Sequence, residues 1–222
     1  MMLYDLIYEK GMTILNFFVQ CLKVKIIIKY LDASTYVKWE QLLCELLDGF
    51  IQEIGSQNVV QFITNNATNY VVAGRLLMMR NLTLIWTPCA AHCIDLMLED
   101  MGKIHFIWDI VDSSRSITKF IYNHTFVLSL MRQFTNNREL VRLTITHFAT
   151  SFISLQSLLA CMWEIKRMFL SDEWHALSFS TKPEGQAIYR LVSLQESFWA
   201  GVEEVCAISE PLVEVLRLVD GD

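Results

Sequence analysis

The stretch "VVQFITNNATNYVVAGRLLMMRNLTLIWTPCAA", Val59 to Ala91, reads as strand, helix, strand and the start of a second helix. The run over 58–64 is short and rich in β-branched and aromatic residues, which marks a strand. It ends abruptly in Asn65 and Asn66, with Asn69 close behind, amides suited to a turn and a helix start. The following helix is expected from about Asn69 to Met79, and "LTLIW" (82–86) forms a second short strand. Thr87 followed by Pro88 predicts the next helix, because proline lacks the N–H that would be unpaired in a first turn. Strands joined through a helix imply a parallel crossover.

Outward from this unit, "TILNFFVQC" (13–21) and "VKIIIKYL" (24–31) form an antiparallel hairpin. A helix announced by "DAST" then runs to Ile54 and stops at Gly55. Leu43, Leu46, Leu47, Phe50, Ile51 and Ile54 fall on one stripe of it, facing a sheet. The order β, β, α, β, α, β, α gives an α/β chain with a mixed sheet, opened by the hairpin and continued by parallel strands. From about residue 104 the β signal fades into helices at 104–121, 124–134, 147–169, 184–192 and 194–218, with a polar loop over 171–185. Two regions are expected, 1–103 for the mixed sheet and 104–222 for the helices.

A chain of 222 residues that is 53% hydrophobic has ample material for a core. The net charge of −6 excludes a surface that is basic throughout, so nucleic-acid contact requires a local patch. The six cysteines lack the regular spacing of a disulfide framework and are expected to be reduced, intracellular and mostly in the core. Lys23 and Lys25 interrupt the longest apolar run well short of the roughly 20 residues needed to span a bilayer. Membrane partners are therefore not expected. The absence of a glycine-rich phosphate loop, a Gly-x-Ser-x-Gly elbow and a dinucleotide fingerprint removes most support for a small-molecule substrate.

The densest chemical cluster is "TPCAAHCIDLMLEDMGK" (87–103). Cys89, His92 and Cys93 share roughly one helical face, while Asp95, Glu99 and Lys103 form an i, i+4 series on another. A zinc site needs four ligands, usually from two separated pairs, and the nearest extra candidate, His105, has no cysteine beside it. A reactive thiol is conceivable at Cys89 in a first helical turn, and simple packing of helix on sheet accounts for the same residues. For nucleic-acid contact the best stretch is 130–148, where Arg132, Arg138, Arg142 and His147 mix with amides and aromatics. An exposed helix and loop account for these residues equally well. Trp39, Trp86, Trp108, Trp163 and Trp199 occupy apolar periodic contexts and are expected in the core.

The phrases "NVVQFITNNATNYVVAGRLL", "WTPCAAHCIDLMLEDMGK", "FIYNHTFVLSLMRQFT", "ELVRLTITHFATSFISLQSLL" and "SEPLVEVLRLVDGD" resemble, in order, the hAT superfamily of transposase-derived proteins, in the branch carrying domain of unknown function 659. The resemblance implies a ribonuclease H-like core followed by part of a helical insertion domain. It also implies three acidic residues that hold divalent metals for phosphoryl transfer. The family's metal-bearing Asp falls at Asn65 here. Asp5 stands near the first acidic position without the family's Gly-Trp context and is left unassigned, and the chain stops before the third. Cys89 and His92 match the family's Cys-x-x-His pair, and His147 replaces a common arginine.

The expectation is a truncated, catalytically inactive transposase-like protein without a resident metal or other cofactor. Mg²⁺ or Mn²⁺ enters only if the ancestral activity survives. The implied partners are DNA, the chain itself and full-length hAT-like relatives, in the nucleus. The alternatives are an active metal-dependent nuclease or transposase and a pure protein-interaction module.

Overall fold

The structure, a computed structural model, describes residues 2–7, 13–20, 25–32, 39–142 and 149–220. Five strands form one sheet: β1 (Met2–Ile7), β2 (Thr13–Gln20), β3 (Lys25–Asp32), β4 (Gln61–Thr64) and β5 (Ile85–Pro88). Their order across the sheet is β3-β2-β1-β4-β5. The pairs β1–β2 and β2–β3 are antiparallel, while β1–β4 and β4–β5 are parallel. The sheet is mixed as expected, with one strand more than the sequence reading supplied. Strand β1 lies in the middle, bridging the antiparallel half to the parallel half. Its residues alone carry a weak β pattern, and pairing on both edges is what makes them a strand.

Helix α1 (Glu40–Ile54) links the hairpin to β4 and α2 (Thr68–Arg80) links β4 to β5. The α1 stripe is buried at Leu43, Cys44, Leu47, Phe50 and Ile51, with Leu46 and Ile54 partly buried beside it. Phe50 stacks on Phe17 of β2 with ring centroids 3.8 Å apart, joining helix to sheet. The helix stops where expected, because Gly55 takes φ 91°, a conformation that a Cβ disfavours. Its start is different. Asp32 belongs to β3, residues 33–38 lie outside the described residues, and Trp39 is the N-cap.

Helix α3 (Ala90–Gly102) begins later than the Thr-Pro pair predicts. Thr87 and Pro88 instead close β5, opposite Ile63 and Thr64 of β4. The strand ladder outcompetes the local capping signal, and proline tolerates the last strand position because its missing N–H leaves no donor unpaired.

By its contacts the chain divides between Cys93 and Ile94, inside α3. The second unit is built of α4 (His105–Asn123), α5 (Thr125–Phe134), α6 (Ala149–Leu159), α7 (Met162–Leu170), α8 (Asp172–Ala176), α9 (Pro183–Ser193) and α10 (Glu196–Asp220). The single helix expected over 147–169 is two helices, broken by a turn at Ala160 and Cys161. The expected loop over 171–185 contains α8, started by the Ser171 hydroxyl accepting from the Trp174 N–H, and a 3-10 turn at Ser178–Thr181.

Aromatic placement departs from expectation in this unit and in the first. Trp199 is 2% exposed, and its indole N–H donates to the Val192 carbonyl. Trp174, which periodicity did not single out, is 1% exposed between Phe120 and Phe169. Trp39, Trp108 and Trp163 are 65%, 48% and 66% exposed, so they are not core residues. Trp163 lies beside Lys166, whose ammonium is 5.3 Å from that ring and 5.6 Å from Trp199, a cation–π arrangement that suits a half-solvated indole. The acidic face of α10 is solvated, with Glu203, Glu204, Glu210 and Glu214 exposed.

Two contacts invite direct tests. A Cβ on Gly74 of α2 would lie 2.5 Å from the Trp86 ring. Gly74→Ala would gain about 1 kcal/mol in helix propensity but lose about 1–3 kcal/mol to overpacking, so a net loss of stability is expected in urea unfolding. A more stable variant would show that the contact is not tight. Asp95 is half-buried and its Oδ1 accepts the Ala149 N–H at 3.0 Å, capping α6 from another helix. Asp95→Ala is expected to cost about 1 kcal/mol and Asp95→Asn much less, measured the same way.

Candidate functional site at the end of strand β4

The parallel strands β4 and β5 end level with each other, Thr64 opposite Pro88, at the carboxyl end of the strands where ligands bind in open α/β sheets, and β1 begins beside that end with Met2 opposite Ile63. Thr64, the last residue of β4, is fully buried. Its hydroxyl accepts the Trp86 indole N–H at 3.0 Å and donates to the Asn65 carbonyl at 2.9 Å. Its carbonyl accepts the Cys89 N–H at 2.7 Å. The strand end is thus tied to β5 on one side and to the entrance of α3 on the other. Asn65 leaves the sheet immediately afterwards and is partly exposed, while Asn66 is exposed.

Asp5 lies in β1, paired with Leu15 of β2. Met2 stands opposite Ile63 of β4, so β1 starts beside the end of β4 and Asp5 lies three residues further along it. The sequence reading left Asp5 unassigned for want of a motif. What recommends it is its strand, the neighbour of β4, and no local signal announces that strand.

Cys89 is buried and sits one residue before α3 begins, with its N–H committed to the strand end. His92 and Cys93 are partly buried in the first turn of α3. Burial pushes the Cys93 thiol above its ordinary range, and the neighbouring Cys89 adds to this, which favours the inert thiol over the thiolate. All five described cysteines are free, and four are buried. Among the described residues no three His, Cys, Asp or Glu side chains are placed to hold a metal ion. The donors at the strand end are a neutral amide and a hydroxyl already engaged by an indole. Divalent Mg²⁺ and Ca²⁺ select anionic oxygen, so this set does not fit a catalytic metal.

The basic candidates belong to the second unit. Arg132, at the end of α5, donates through Nε to Glu139 Oε1 at 2.6 Å. Tyr122 of α4 donates its hydroxyl to Glu139 Oε2 at 2.6 Å and accepts the Leu140 N–H at 3.0 Å. Arg142 lies over the Tyr122 ring, 5.2 Å from its centroid. The Tyr122 hydrogen bond and then Arg132 hold the Glu139 carboxyl below its usual range. Burial, and then Glu139, push the Tyr122 phenol up to about 12. Arg138 is exposed, and its backbone is held by Thr135. His147 lies outside the described residues. Sequence reasoning missed Tyr122 and Glu139, which are 17 positions apart and joined only by the fold.

No described helix is long and apolar enough to cross a membrane. A search of curated proteins finds no match. The family model for a domain of unknown function, DUF659, matches residues 2–117, just over half of the chain, from β1 into α4. Asp5, Asn65, Cys89 and His92 all fall inside the matched span, and the chain belongs to the DUF659 family, whose domain is found in hAT-type transposase-like proteins.

Proposed function

We propose that this chain is a transposase-derived protein with a ribonuclease H-like core whose metal centre is disabled at Asn65, and that it acts by binding nucleic acid or protein in the nucleus. The strand order β3-β2-β1-β4-β5, with its antiparallel and parallel halves, supports the ribonuclease H-like reading. The observation that carries the loss of catalysis is Asn65 itself. It directly follows Thr64, the last residue of β4, next to the strand that bears Asp5, where the family resemblance calls for a carboxylate. An amide presents an oxygen of the right size without the charge that holds a hard cation. Cys89 then serves to hold the entrance of α3 against the strand end through its N–H on the Thr64 carbonyl.

A second reading, a working metal-dependent nuclease, draws on the placement of Asp5 in the strand next to β4. Calorimetric titration with Mn²⁺ separates the two. The wild-type chain is expected to show no saturable binding, whereas Asn65→Asp restores an anionic ligand and tightens binding at least about tenfold, equivalent to about 1.4 kcal/mol. Nicking of labelled DNA by the wild-type chain, abolished by EDTA, would overturn the inactive reading in favour of the second.

A further inference from the structure

We propose that Arg132, Arg142 and the Tyr122 hydroxyl form a binding site for a backbone phosphodiester of nucleic acid, and that the chain's own Glu139 carboxylate occupies it as an internal competitor. This inference rests on the nucleic-acid binding reading given above. Two donors converge on one carboxylate, each at 2.6 Å: Arg132 Nε on one oxygen and the Tyr122 hydroxyl on the other. Arg142, stacked on the Tyr122 ring, adds its charge to the same group. A phosphodiester presents two anionic oxygens to the same donors, and guanidinium groups recognise phosphate and carboxylate alike.

The geometry makes exchange feasible without unfolding. The Glu139 side chain is 48% exposed and that of Arg132 45%, so the carboxylate can swing into water. An exposed ion pair of this kind contributes little, and an incoming polyanion displaces it readily. The donors and backbone behind it are fixed independently. Tyr122 keeps the Leu140 N–H. Val141 is held on both sides of its peptide, its carbonyl accepting from the Ser154 hydroxyl at 2.8 Å and its N–H donating to Ser157 at 3.0 Å.

The test is fluorescence anisotropy of a labelled single-stranded oligonucleotide titrated with the full chain over a range of salt. Glu139→Gln is expected to tighten binding about tenfold and to steepen the salt dependence by about one released counterion. Adding Arg132→Ala to that variant returns the affinity to the wild-type value. Glu139→Ala, which removes the carboxylate and leaves Arg132, Arg142 and the Tyr122 hydroxyl in place, gives a similar gain and reads out the proposal if Glu139→Gln does not fold. A gain that survives Arg132→Ala overturns the site. So does inorganic phosphate competing as well as the oligonucleotide at equal phosphoryl concentration, which would point to a free-phosphate site. Wild-type binding that neither Glu139→Gln nor Arg132→Ala alters rejects the guarded site alone and leaves nucleic-acid binding standing. Absence of binding by every variant rejects both.

Discussion

A single hydrogen bond, from the Trp86 indole to the buried Thr64 hydroxyl, determines how the parallel half of the sheet ends. The indole can reach Thr64 only because α2 crosses it at Gly74, where a side chain would collide with the ring. The same threonine offers its carbonyl to Cys89, so the last turn of β4, the end of β5 and the entrance of α3 are locked to one residue. A buried hydroxyl without these partners would be costly, which is why the three elements are placed together rather than separately.

The chemistry of the strand end follows from that lock. Asn65 is carried to the end where β4 and β5 finish and the strand of Asp5 begins. In the reading proposed above, the amide of Asn65 lacks the charge that holds a hard cation. The residues that hold this end of the sheet are Thr64, Trp86 and Cys89.

The helix stripes were legible because their period is local. Leu43, Leu47, Phe50 and Ile51 are buried as spacing alone requires, and Gly55 ends its helix for a reason visible in one residue. Strand β1 was not legible, because a six-residue segment with Asp5 at its centre becomes a strand only when β2 and β4 pair with both of its edges. Thr87 and Pro88 carried a true helix-start signal that lost to ladder pairing with β4. The exposed Trp39 and Trp163 show the same limit, since apolar periodicity states which residues share a face but not whether anything covers it.

By itself the sequence determined the alternation of strands and helices in the first half, the helical second half, and the amide at residue 65, because each depends on neighbours within a few positions. Only the tertiary structure decided that Asp5 belongs to the central strand, that Thr64 anchors the site's edge, and that Arg132 and Arg142 gather with Tyr122 around Glu139. These are couplings between residues far apart in the chain. Their geometry exists only once the sheet has closed on β1 and the helices of the second unit have packed.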